Sequence, residues 1–126
     1  MGAMLVRHSA ASVAAVRRSI AADLADNGVD EDSVHDVTLV ASELVGNAVR
    51  HTELAPDEEL GISWTLTPTE VVVSVADGSD GEPRLRIVGA DEPSGRGLAI
   101  VDQLSSKWGV EHLQRGKRVW AQVPIR

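Results

Sequence analysis

The stretch Glu43-Leu44-Val45-Gly46-Asn47-Ala48-Val49-Arg50-His51 decides how the rest of the chain is read, because it carries polar residues that a packing helix does not need. The apolar positions Val34, Val37, Ala41, Leu44, Val45 and Ala48 recur at three and four residues, the period of an α-helix with one buried face. At about 100° per residue, each step from Glu43 to Asn47 to His51 drifts by only about 40°, so the three form a ridge at the edge of that stripe. A carboxamide one turn from a carboxylate suits Mg²⁺, a hard ion that takes one or two protein oxygens and fills its octahedron with phosphate oxygens and water. Asn47 is then the metal ligand, and Glu43 polarises a hydroxyl or water that attacks a phosphoryl group. Taken alone, Glu-x-x-x-Asn also reads as a solvated helix face, and His51 as a histidine favouring the negative end of the helix dipole. A zinc site lacks partners, since His8, His35 and His112 have no ligand-like spacing.

Working outward, Asp30 is placed to cap this helix, with Glu31 and Asp32 in its first turn and Val29 set to staple onto Val34. An earlier helix has Val13, Val16, Ile20 and Leu24 on one face, Ser9 as its expected cap and Asn27-Gly28 as its stop. Downstream, Leu60, Ile62, Trp64 and Leu66 alternate with more polar residues, Thr67-Pro68-Thr69-Glu70 turns the chain, and Val71, Val73 and Val75 alternate again, an antiparallel hairpin with one buried face. From Asp77 to about Ser94 no period exists, only Gly78, Gly81, Pro83, Gly89 and Pro93 among charges, the signature of a lid or binding loop when it is not disordered. Leu98, Val101 and Leu104 mark a short helix opened by Gly95-Arg96-Gly97, and Trp108, Val110, a turn near Gly116-Lys117, Val119, Ala121 and Val123 close the chain as a second hairpin. These elements predict an α+β fold, a two-layer sandwich with helices on one face of a mostly antiparallel sheet.

Length and charge set the outer bounds. The chain has 126 residues, 43% hydrophobic and 25% charged, one domain's worth of sequence with enough apolar content for a packed core. With three Trp and neither Phe nor Tyr, Val, Leu, Ile and Ala must fill that core, and no aromatic platform for single-stranded nucleic acid is on offer. The net charge of −7 argues against a direct nucleic-acid or anionic-membrane binder. Absence of cysteine removes disulfides, thiolate metal sites and cysteine nucleophiles. No apolar run approaches the roughly 20 residues of a membrane span and no signal peptide opens the chain, so the expected location is the cytoplasm. Met1-Gly2-Ala3-Met4 reads either as added residues ahead of a natural Met4 or as a native extension. Charge is uneven: residues 1–94 hold six Arg against seventeen Asp and Glu, whereas residues 95–126 hold six Lys and Arg against Asp102 and Glu111. A C-terminal quarter at +4 suits a phosphate-bearing ligand or a solvated face, and the acidic remainder a basic partner protein.

Gly95-Arg96-Gly97 ahead of a helix offers free N–H groups and the positive end of the helix dipole to an anion. Neither a P-loop nor the six-residue dinucleotide fingerprint is present. Asp77 ends a run of valines at the mouth of the long loop, where its carboxylate can accept from an exocyclic amine; alone, Asp77-Gly78 reads as a turn.

In this order, the three segments resemble the ATPase fold shared by gyrase, Hsp90, histidine kinases and MutL. Residues 43–51 are similar to its N box, Asp77-Gly78 to its first glycine box and Gly95-Arg96-Gly97-Leu98-Ala99-Ile100-Val101 to its second. The small size, the Arg17-bearing first helix and the segments Trp108-Gly109-Val110 and Gly116-Lys117-Arg118-Val119-Trp120 resemble the anti-sigma-factor serine kinases of the RsbW and SpoIIAB type, above all the short actinobacterial ATP-binding members. The resemblance implies ATP and Mg²⁺ as cofactors, bound under a lid at about residues 78–94. It implies Asn47 as Mg²⁺ ligand, Glu43 as the base toward a serine hydroxyl, and Asp77 as acceptor from the adenine amine. Gly95 and Gly97 would let the backbone approach the phosphates, while Arg50, His51, Gly78, Arg96 and Leu98 complete the implied ATP-binding set; Arg50 and Arg96 lie near the triphosphate or pair with acidic residues. Two departures stand out: the family's Asp-x-Gly reads Asp77-Gly78-Ser79, and no threonine near Val119 shares the adenine contact. The implied activity is that of a serine/threonine protein kinase which phosphorylates an anti-anti-sigma (STAS-type) antagonist and regulates transcription by sequestering a sigma factor; a homodimer is common in such proteins. Two alternatives are a non-catalytic module in which ATP gates protein binding, and a detached histidine-kinase-like catalytic domain, disfavoured because no dimerisation helices or phosphoacceptor segment precede the N box.

Overall fold

Alternation along β3 and β5 sets the architecture. In the computed structural model, which describes residues 2–7, 9–51, 59–77, 94–112 and 117–126 (backbone alone for 51 and 94–98), the elements run β1 (Gly2–Arg7), α1 (Ala11–Asp26), α2 (Glu31–His51), β2 (Glu59–Leu66), β3 (Glu70–Asp77), α3 (Ser94–Leu104), β4 (Lys107–His112) and β5 (Lys117–Pro124). The strands form one five-stranded antiparallel sheet in the order β1-β2-β3-β5-β4. Because side chains alternate across a strand, Val71, Val73 and Val75 share one face with their partners Val123, Ala121 and Val119, and with Leu60, Ile62 and Trp64 of β2. The helices cover that face: α1 lies on β1 and β2, α2 on β3 and β5, and α3 on β4 and β5, with α2 packed between α1 and α3. Val16, Ile20 and Leu24 of α1 and Val37, Val40, Ala41, Leu44 and Val45 of α2 meet the sheet in one buried core. The expected two-layer α+β sandwich is the observed one.

Local chemistry explains the element ends. Asp30 caps α2 as expected: Ser33 N–H donates to Asp30 Oδ2 at 3.2 Å. Hydrogen bonds from the Ser33 side chain and backbone hold the Asp30 carboxyl below its ordinary value, aided by the charge of Arg126. Gly28, with φ of 80°, ends α1 in the left-handed region that glycine tolerates. Ser9 does not cap α1; Ala10 occupies the cap position without a side-chain hydrogen bond, and the Ser9 hydroxyl lies 3.4 Å from that of Ser12. Ser12 in turn donates to the Arg7 carbonyl at 2.6 Å, tying the helix start to β1.

Strand β1 is an element the sequence pattern does not announce. Its run Gly-Ala-Met-Leu-Val-Arg lacks clean alternation because Leu5 points to the uncovered face and is 68% exposed, while Val6 is buried. Gly2 lies directly against the Trp64 ring, where a Cβ would collide. Trp64 Nε1 donates to Asp23 Oδ2 at 2.8 Å, so the one polar atom of this buried ring is satisfied and α1 is fixed to β2. Among the described residues no helix is long and apolar enough to cross a membrane.

Candidate functional site

The N-box ridge sits on the C-terminal half of α2, the helix packed against β3 and β5. Glu43 is half-buried. One turn on, Asn47 is only 6% exposed, and its carbonyl oxygen Oδ1 is buried with no hydrogen-bond partner among the described residues. A buried polar atom left unpaired costs about 1–3 kcal/mol, so such an orphan needs a reason. A hard cation is one: a carboxamide oxygen is a Mg²⁺ ligand type, and such an ion needs only one or two oxygens from protein. The donor set on this ridge therefore fits Mg²⁺ carried in with phosphates.

Arg50 is exposed, and its guanidinium folds back over Gly46, with Nη1 3.1 Å from where a Cβ would stand. Gly46 leaves that space open, so the cation can lie along the helix between Glu43 and the helix end. His51 is the last residue of α2. Its side chain lies outside the description.

Asp77 is the last residue of β3, on the same inner face as Val71, Val73 and Val75, and is 7% exposed. Its cross-strand partner is Lys117, the first residue of β5, which is 4% exposed. The sequence pattern places Lys117 at a turn near Gly116-Lys117; the structure makes it the first residue of β5. The signal that finds it is the period of two: stepping back from Val123 through Ala121 and Val119 lands on Lys117, on the inner face.

Gly95, Arg96, Gly97 and Leu98 lie in the first turn of α3, which begins at Ser94, not after the glycines as expected. The apolar period starts only at Leu98, so the pattern gives the boundary one turn late. Inside the first turn the backbone N–H groups still lack intrahelical partners and point toward the helix start, which keeps them available to an anion. The lid was expected at about residues 78–94; residues 78 to 93, Gly78 included, lie outside the described residues, as do 113 to 116, while Ser94 is the first residue of α3.

An antiparallel sheet with helices on one face, an asparagine-bearing helix packed on its central strands and an aspartate at the end of a middle strand make up a two-layer α+β sandwich. The chain belongs to the histidine kinase-like ATPase domain family, whose model matches residues 6–123. Among solved structures, the chain is similar to that of the RsbU and RsbW domains of Rv1364c from Mycobacterium tuberculosis, with a TM-score of 0.73 and 21% identity. That likeness covers 100% of this chain and 33% of the other, so the chain spans about a third of the length of its structural relative, and it supports the fold. No curated protein matches the chain.

Proposed function

We propose that the chain binds ATP with Mg²⁺ and transfers the γ-phosphoryl group to a serine or threonine of a protein antagonist of the anti-anti-sigma kind, so that it captures or releases a sigma factor according to the antagonist's state. Membership of the histidine kinase-like ATPase family supports the nucleotide. The observation that carries the reading is the orphaned, buried Oδ1 of Asn47 one helical turn from the half-buried Glu43. Cβ atoms four residues apart on a helix are about 5–6 Å apart, close enough for one group to hold the metal while the other faces an incoming hydroxyl.

Asn47 would hold Mg²⁺ through Oδ1; bound there, the ion supplies charge neutralisation to the β- and γ-phosphates. Glu43 takes the proton from the substrate hydroxyl as its oxygen bonds to the γ-phosphorus and the bond to the ADP oxygen breaks. Asp77 accepts from the exocyclic amine of adenine, and the amides of the first turn of α3, around Gly95 and Gly97, meet the phosphates. By the family resemblance, Arg50 and Arg96 would add positive charge near the triphosphate, and His51, Gly78 and Leu98 would complete the ATP-binding set.

The test is incubation of the chain with labelled ATP and a candidate antagonist. The reading expects label on the antagonist from wild type and none from Glu43→Ala, with nucleotide binding within about twofold of wild type. Binding without transfer by wild type would replace the kinase with a nucleotide-gated binding module.

A further inference from the structure

We infer that Lys117 is a base-reading residue of the nucleotide site, acting beside Asp77; this rests on the ATP reading given above. The two residues are direct cross-strand partners at the end of the β3–β5 pair, and both are more than nine-tenths buried on the helix-covered face. Side chains so placed have Cβ atoms about 4.5–5.5 Å apart and work on the same object. The preceding pair on that face is Val75–Val119, the first buried and the second half-buried, so the apolar run ends directly beside Asp77 and Lys117. Beyond Asp77 and ahead of Lys117 the two strands end, so this pair stands at the rim of the sheet rather than at its centre.

Burying a carboxylate and an ammonium costs free energy that their mutual attraction offsets only in good geometry, and an apolar pair of like size is often at least as stable. Packing therefore gives no reason to end a run of three apolar pairs in Asp77–Lys117. Recognition of a base does. An ionised carboxylate offers several acceptor sites and an ammonium three donors, so two groups that satisfy each other still have capacity for a third. Adenine carries its amine between two ring acceptors, N1 and N7, and so presents a donor beside an acceptor on either edge. Asp77 accepts from the amine, and Lys117 donates to the adjacent ring nitrogen. A carboxylate alone reads only the amine; the pair reads amine and ring nitrogen together.

The test is calorimetry of the full chain with Mg²⁺ and ATP, 1-deaza-ATP or 7-deaza-ATP, on wild type and Lys117→Met, with folding of the variant checked by circular dichroism. The inference expects wild type to bind one of the two deaza analogues about tenfold more weakly than ATP. It expects Lys117→Met to lose a similar factor for ATP and to bind that analogue within about twofold of ATP. Equal binding of all three nucleotides by wild type overturns it, and that comparison decides even where Lys117→Met fails to fold. So does wild-type affinity for ATP in a folded Lys117→Met. Absence of binding by wild type to any of the three at millimolar concentration overturns the ATP reading itself, and this inference with it.

Discussion

Along the inner face of β3 and β5, the cross-strand pairs run Val71–Val123, Val73–Ala121 and Val75–Val119, and then Asp77–Lys117. All but the half-buried Val119 are buried, yet the first three pairs follow the rule for a core and the last breaks it. Helix α2 shows the same split. Its first half buries Ser33 and Thr38 with their hydroxyls bonded, Ser33 Oγ accepting from Arg126 N–H at 3.0 Å and Thr38 donating to the Val34 carbonyl at 2.9 Å. Its second half buries Asn47 with Oδ1 unpaired among the described residues. In the first region, arranged for packing, Ser33 and Thr38 are satisfied, although Asp30 Oδ1 beside them is, like Asn47 Oδ1, buried without a hydrogen-bond partner among the described residues. The other carries burial costs that packing does not explain, and it holds the residues through which nucleotide chemistry is proposed.

The contrast can be broken at either end. Glu43→Ala carries the largest expected effect: phosphoryl transfer to an antagonist falls by about 10²–10⁴-fold, the usual worth of a positioned general base, while the unfolding midpoint hardly moves. At the packing end, Ile62→Ala removes a side chain that is 1% exposed beneath the helices. It should cost about 2–5 kcal/mol in denaturant unfolding. ATP affinity of the fraction that remains folded should stay near wild type.

Asn47→Leu sharpens the comparison most, because stability and function should move in opposite directions. Replacing an orphaned buried oxygen with an apolar group of similar size should leave the unfolding free energy unchanged or raise it by about 1–2 kcal/mol. Mg²⁺-dependent nucleotide binding should weaken at least tenfold. A variant that loses stability and keeps binding would show that Asn47 belongs to the packing region.

The smallest effect lies at the helix start. Asp30→Ala should lower the melting temperature by a few degrees at neutral pH through loss of the Ser33 bond. Since the folded-state pKa of Asp30 is depressed, its contribution is complete above the ordinary carboxylate range and disappears as pH falls through the folded value. The difference between wild type and variant should therefore close on acidification.

The packing region was the more legible one in sequence. Periods of 3.6 in α1 and α2 and of two in β2, β3 and β5 record which side is buried, and Asp30 and Gly28 mark ends by their own chemistry. Strand β1 escaped because an edge strand with an exposed Leu5 carries no alternation, and the start of α3 was misplaced because glycines in a first turn look like a loop. Candidate site residues can be named from sequence where several motifs lie in order, and Glu43, Asn47 and Asp77 are proposed on that ground. Lys117 cannot be named so: its partner is forty residues away in the chain. The period of two places Lys117 on the inner face, but its position opposite Asp77 is set by the strand register alone.

Calorimetric titration of ATP with Mg²⁺ into wild type and Asp77→Asn tests the central claim most directly, since that substitution keeps shape and removes only the charge and acceptor capacity of one oxygen. The account predicts saturable heat from wild type and binding weakened at least tenfold in Asp77→Asn. No heat from wild type at millimolar ATP, or equal affinity in both proteins, would contradict it.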